Sequence, residues 1–326
     1  MNRTSFLKIT LAAALTLQGL QAAMAQTAQS AWPSRTVKFI IPFPPGGTLD
    51  KVGRQLAQKL TEQTGQSFIV ENKPGANGMI GGDLVAKAPA DGYTLLFNAS
   101  TFTTAPMTVK SAPYDVVRDF TPISLVAKAP LSVAINKNMP FGDIKGLIAY
   151  AKANPGKLAF AIGSTGSAGH LSTELLRRAG NLDFLIVPYK GTAPAMQDLV
   201  GGQIQGFIDP ILGSIQFHKQ GLLKVIAVTS TARVSNLSDV PAIAETIAGY
   251  EFFSWYGVWG PAKLPADIAQ KLNLEINKAL AGDMRDKLLA DGLIVGGGSI
   301  DDFVRFQRSD MAQSQKIITD GNIKAE

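Results

Sequence analysis

The sequence predicts an α/β protein of two lobes, each a mainly parallel sheet flanked by helices. Three observations carry that expectation. Strand-like runs such as TVKFIIPF and YTLLFNAS are apolar almost without alternation, as strands buried on both faces are. Helix-like runs alternate with them along most of the chain. Two long extended segments, ISLVAKAPLSVAIN and the aromatic YEFFSWYGVWGPAKLP, break that rhythm and are placed to cross between lobes.

Residues 1–25 read as a secretory targeting segment, cleaved after about Ala25. Arg3 and Lys8 precede an apolar run from Ile9 to Leu20, and Ala23-Met24-Ala25 supplies the small-residue cleavage site. The apolar run falls short of the roughly 20 residues a membrane helix needs. The first lobe, residues 26–126, opens with TVKFIIPF feeding the helix LDKVGRQLAQKLTEQ. SFIVEN follows, then the turn KPGANGMIGG opening DLVAKA, then YTLLFNAS.

ISLVAKAPLSVAIN, interrupted by Pro130, leads into a second lobe over residues 127–254. There GDIKGLIAYAKANPG is a helix, KLAFAIG a strand, HLSTELLRRAG a helix closed by Gly180, and FLIVPYKG a strand. A helix from about Thr192 to Gly202, the strand IQGFIDP, the helix-like SIQFHKQG and the strand LKVIAVTS complete it. The aromatic segment then returns the chain, so that the helices within residues 255–326 join the first lobe. Two crossings imply a hinge and a cleft, where ligands commonly bind.

Composition narrows the chemistry. The 326 residues contain no cysteine, which removes disulfides, thiolate metal sites, iron-sulfur clusters and cysteine nucleophiles together. Two histidines leave only scattered carboxylates for a metal, and no metal or cofactor is expected. Taking Arg3 and Lys8 from the 31 basic residues leaves 29 against 25 acidic ones, about +4. No basic block or aromatic-interleaved basic stripe accompanies that charge, so nucleic acid is not an expected partner, and the balance suits an acidic small ligand.

The stretch PFPPGGTLD joins a strand to a helix. Pro44 and Pro45 set a rigid approach, and Gly46 and Gly47 let backbone come close to a ligand and expose donors. Free amides at a helix start, with the helix dipole, favour an anion. The competing reading is an ordinary αβ connection capped by Thr48 or Asp50, with Asp50 paired to Arg54. Neither a Walker lysine nor a full G-x-G-x-x-G is present.

AFAIGSTGSAGHLSTELL repeats the plan, with Ser164, Thr165 and Ser167 able to donate to a carboxylate or to cap the helix. The alternative of a secreted serine hydrolase using Ser167 and His170 meets an obstacle: the nucleophile elbow needs G-x-S-x-G, and here the first glycine is displaced. A third stretch, VPYKGTAPAMQDLVGGQIQGFID, offers the Tyr189 ring and phenol, the Lys190 charge, the turn at Gly191, and Asp209 at a strand end. Asp209 either accepts from a ligand amine, hydroxyl or water, or serves a structural role.

In combination, PFPPGG-x-x-D, ENKPGANGMIG, DGYTLL, PYD-x-x-x-DFTPI, a GS loop running into HL-x-x-ELL, and VPYKG-x-x-PA-x-x-DL-x-x-G-x-x-x-x-x-x-D resemble the Bug, or TctC-like, family. These are periplasmic solute-binding proteins of tripartite tricarboxylate transporters, and the likeness runs in order over essentially the whole mature chain. The resemblance implies a non-enzymatic, two-lobed Venus-flytrap protein, monomeric and periplasmic. It would hold a di- or tricarboxylate, acidic amino acid or aromatic acid by backbone amides and waters, and would serve membrane permease subunits or, alternatively, a signalling sensor.

Carried onto this sequence, the resemblance implies a first loop of Phe43, Pro44, Pro45, Gly46 and Gly47 with Asp50. Facing it would be Ala161 to Ser167, including Ser164, Thr165 and Gly166, then Tyr189, Lys190, Gly191 and Asp209. Asn77, Asn98, Ser100 and Thr101 are lesser members. The family often has glycine where this chain has Ser164 and Asn77. The first departure bears on the carboxylate donors; the second adds a contact or does nothing.

Overall fold

The structure is a computed structural model and describes residues 32–323, so the expected targeting segment lies outside the described residues. β1 (Val37–Ile41), α1 (Thr48–Thr64), β2 (Phe68–Asn72), α2 (Met79–Ala86), β3 (Thr94–Ala99) and the short α3 (Thr101–Thr104) come first. The long β4 (Phe120–Asn136) leads to α4 (Ile144–Ala153), β5 (Ala159–Ile162), α5 (Ala168–Ala179), β6 (Leu185–Pro188) and α6 (Thr192–Gly201). Next are β7 (Gly206–Pro210), α7 (Ile215–Lys219), β8 (Leu223–Val228) and β9 (Phe253–Pro261). α8 (Ala266–Ala281), α9 (Asp283–Ala290), β10 (Ile294–Val295) and α10 (Ile300–Asp320) finish the chain.

The strands order as β2–β1–β3–β9–β4–β7–β5–β6, with β8 and β10 also pairing to β4. β1 runs parallel to β2 and β3, and β5 runs parallel to β6 and β7, as the unalternating apolar strands anticipate. The ladders made by β4 and β9 are antiparallel, so the sheet as a whole is mixed. β4 joins its two halves: Phe120 to Pro130 ladder with β9, and Leu131 onward with β7 and β8.

Pro130 does not interrupt β4, because it sits in register opposite Phe253. The irregularities lie to either side of it: register shifts against β9 fall between Pro122 and Ser124 and between Leu125 and Ala127, and one against β8 falls between Val133 and Ala134. At the junction of the two halves, Thr229 ties both long strands together. Its amide donates to Leu131 O at 2.9 Å and its carbonyl accepts from Phe252 N at 3.0 Å. Its hydroxyl accepts from Leu131 N at 2.8 Å and donates to Phe252 O at 2.7 Å.

Helical spacing explains how α1 is held. Leu49, Val52, Leu56 and Leu60 form one buried stripe, and Gly65 ends the helix in the left-handed region at φ 70°. β9 shows the two-residue period instead. Trp255 and Trp259 face a cluster with Phe102 and Phe303, while Tyr256 and Val258 face the main core. That alternation aims Ser254 and Tyr256 toward the space between the two halves of the sheet.

Candidate functional site

β1 delivers the chain into Phe43–Gly47, and Gly47 is the N-cap of α1 with extended backbone (φ −76°, ψ 172°). No side chain caps this 17-residue helix. Its first internal bond runs from Lys51 N to Gly47 O at 3.1 Å, which leaves the first-turn amides without helical acceptors. Gly46, at φ 97°, adopts the left-handed conformation that glycine tolerates at little cost.

The Gly46 amide, expected among the exposed donors, is already engaged: it donates to Asp50 Oδ2 at 3.1 Å. Asp50 organises the loop. Its Oδ2 also accepts from Arg54 Nε at 3.0 Å, and its Oδ1 accepts from Asn72 Nδ2 at 3.0 Å. The same Asn72 amide donates to Phe43 O at 3.0 Å. Burial raises the Asp50 pKa, but the bonds from Arg54, Asn72 and Gly46 outweigh it and hold the carboxyl below its ordinary value.

The facing wall is built from two strand-to-helix turns. At α5 the Ser167 hydroxyl accepts from His170 N at 3.2 Å, closing that helix start with its own side chain. Gly166 N donates to His170 Nδ1 at 3.0 Å, and Gly166 O accepts from Thr104 Oγ1 of α3. At α6 the N-cap is Gly191, at φ 109°, with no side-chain cap; its amide donates to Gly163 O at 2.8 Å. A Cβ on Gly47 would stand 4.0 Å from Thr192 Oγ1, and one on Gly191 would stand 3.8 Å from Pro44, so the opposing loops are in near contact.

Between them lies a cavity of about 360 Å³ onto which α1, α5 and α6 open by their N-terminal ends. Its polar floor is Asp209 at the end of β7. This carboxyl is buried, accepts from Thr192 Oγ1 at 2.9 Å, and is pushed up to about 7, because desolvation outweighs that single hydrogen bond.

Of the residues expected at the site, Phe43 to Gly47, Asp50, Thr101, Ser164, Ser167, Lys190, Gly191 and Asp209 line this cavity. The others lie elsewhere for identifiable reasons. Ala161 is in the middle of β5, paired with Val187 and Phe207. Asn98 is buried in β3 and accepts from Ala99 N at 2.8 Å; the Ser100 amide donates to Trp255 O at 2.8 Å. Tyr189 turns its hydroxyl to Asp198 of α6 at 2.7 Å. Asn77 occupies a left-handed turn position at φ 52°, which asparagine tolerates. Gly166 serves the loop through the two bonds just described.

Thr165 and His170 border a separate pocket with Glu174 and Arg177. The Ser167 hydroxyl is committed to the helix cap and the His170 ring lies on the other side of the loop, so this pair does not form a nucleophile and base at the cavity. Among the described residues, no group of three or more His, Asp or Glu is placed to hold a metal ion.

Sequence reasoning passed over Thr192, Gln216, Phe217, Ser254 and Tyr256, all of which line the cavity. A signal existed for β9: Ser254 and Tyr256 are polar positions two apart in an otherwise apolar strand, which puts both on one face.

Comparisons with known proteins give the family and the fold. The model of the tripartite tricarboxylate transporter family receptor matches residues 52–323. A protein encoded in the tcbD–tcbE intergenic region of Pseudomonas sp. strain P51 is 37% identical over 298 residues, covering 90% of this chain and 89% of that protein. Among solved structures, R. palustris Rpa4515 with adipate superposes with a TM-score of 0.87 at 36% identity, over 89% of this chain and 98% of that one. The periplasmic binding protein BugD gives 0.85 at 33% identity, over 90% and 100%. With the two-lobed binding-protein fold and the interlobe cavity in place, the chain belongs to the tripartite tricarboxylate transporter receptors, the family of the Bug periplasmic solute-binding proteins.

Proposed function

We propose that this protein captures a small carboxylic acid between its lobes in the periplasm and delivers it to the permease of a tripartite tricarboxylate-type transporter. The observation that carries the reading is the convergence of three helix N-termini on one cavity. The amides of α1 and α6, uncapped by any side chain, take the carboxylate, and Asp209 accepts a hydrogen bond from a hydroxyl, amine or water elsewhere on the ligand. Residues 1–25 direct export, and the lobes divide as 26–126 with 255–326, and 127–254.

Magnitudes fit. A hydrogen bond to a charged group contributes roughly 1.5–3 kcal/mol. Three or four, less the cost of association and lobe closure, leave a micromolar complex at about −8 kcal/mol. Contacts to both walls at once provide the differential interaction that shifts open and closed populations. The R. palustris relative solved with adipate supports the carboxylate class.

The test is a thermal-shift screen of the mature protein against adipate, succinate, malate, glutamate, citrate and benzoate, with calorimetry on any hit. At least one acid is expected to raise the melting temperature in a concentration-dependent way and to be recovered unchanged. A flat response to the whole panel would overturn the reading.

A further inference from the structure

Two side chains at the mouth of α1 stand out from the rest of the cavity wall. Tyr256, on β9, and Thr48, the first residue of α1, are 1% and 5% exposed, and both line the cavity. Among the described residues, neither Tyr256 Oη nor Thr48 Oγ1 has a hydrogen-bond partner. Tyr256 lies close to Thr48 and Ser254 without meeting hydrogen-bond geometry with either. Buried polar groups are rarely left this way, and two together beside a ligand cavity point to a partner that the ligand supplies.

The chemistry of that partner follows from the neighbours. The α1 opening adds first-turn amides with no side-chain cap, which are donors only. The nearest carboxylate on the same helix, Asp50, is already occupied by Gly46, Arg54 and Asn72. Asp209, on the facing wall, takes its hydrogen bond from Thr192. Asp209 is near enough to act on Tyr256 electrostatically but makes no hydrogen bond with it, so the hydroxyl and amide protons of this cluster stand without a carboxylate to receive them.

We propose that Tyr256 and Thr48 are ligand-binding residues, their hydroxyls donating to one carboxylate oxygen of the bound acid at the α1 opening. The proposal rests on the carboxylate-capture reading above and goes further by making a residue of β9, outside all the glycine loops, part of the recognition. Neutral hydroxyl and amide donors can hold a carboxylate without an arginine, because a charged acceptor strengthens each bond it receives. Burial holds the Tyr256 phenol above its ordinary pKa, so it keeps the proton it donates throughout the physiological range.

The experiment is calorimetric titration of wild type, Tyr256→Phe, Thr48→Val and Thr48→Ser with adipate, and with the best acid of the thermal-shift panel. Melting temperatures of the ligand-free proteins are measured in parallel. Tyr256→Phe and Thr48→Val are expected to weaken binding tenfold or more, and Thr48→Ser to stay within threefold of wild type. The ligand-free Tyr256→Phe protein is expected to melt at or above the wild-type temperature, since it loses a buried hydroxyl with no partner among the described residues. Wild-type affinity in both Tyr256→Phe and Thr48→Val, or a lowered ligand-free melting temperature with unchanged affinity, overturns the subsite while leaving carboxylate capture standing. Failure of the wild type to bind any acid of the panel overturns both.

Discussion

The two walls of the cavity are written in the same sequence grammar, a strand running into a helix through glycines, yet they finish differently. On the first wall α1 begins at Gly47 with no side-chain cap, and its loop is braced from behind by Asp50, Arg54 and Asn72. On the second, α5 is closed by Ser167, its loop is held by His170 and Thr104, and a buried acid without a cation beside it forms the floor. A glycine-rich helix start thus does not by itself define an anion site. What decides is whether nearby side chains use up the donors.

The largest test of this contrast is Gly47→Val. Gly47 has backbone angles open to any residue, but its Cβ direction leads to Thr192 across the cleft. Carboxylate affinity should fall at least about 100-fold, equivalent to about 2.7 kcal/mol. The melting temperature should change by less than about 3 °C. Unchanged affinity by calorimetry removes α1 from the site.

Next in size is Asp209→Asn, read through pH. The folded value of Asp209 is raised from 3.8 to about 7, so the folded protein holds this proton more tightly than the unfolded chain does. Stability from this group is intact below about pH 4 and is lost as pH rises to about 7, a change of at most about 4 kcal/mol. Denaturation at pH 4.5 and pH 8 should show the Asn variant gaining on wild type at the higher pH. Parallel curves for the two proteins would mean that Asp209 is solvated or paired.

Asp50→Ala should destabilise the protein by about 2 kcal/mol in chemical denaturation, because it strands the Gly46 amide and the Asn72 and Arg54 side chains. Binding should weaken with it, as the first loop loses its brace. If affinity survives while stability falls, the loop is rigid for other reasons. Smallest is Ser167→Ala, expected to cost about 1 kcal/mol as a lost cap. Its effect on affinity should stay within about threefold, and a larger one would move the second wall's hydroxyl into the binding role.

How much of this was legible beforehand depends on range along the chain. Strands and helices follow from apolar spacing, and the Phe43–Gly47 turn and the Gly191 turn follow from glycine and proline chemistry, which is local. The sequence leaves Asp50 open to two roles because its deciding partner, Asn72, comes from β2 and only folding brings them together. Tyr189 and Ala161 adjoin the right loops but are not on the cavity: Ala161 is a core position of β5, and the Tyr189 hydroxyl is drawn to Asp198 of α6, a partner nine residues on. Tyr256 escaped because its place depends on a strand some 200 residues away from the α1 opening.

The four hydrogen bonds of Thr229 to Leu131 and Phe252 have a mechanical corollary. With both long strands sewn to the same residue, the lobes are not suspended on slack tethers. Any relative motion of the lobes therefore has to flex a paired ribbon and not two separate strands.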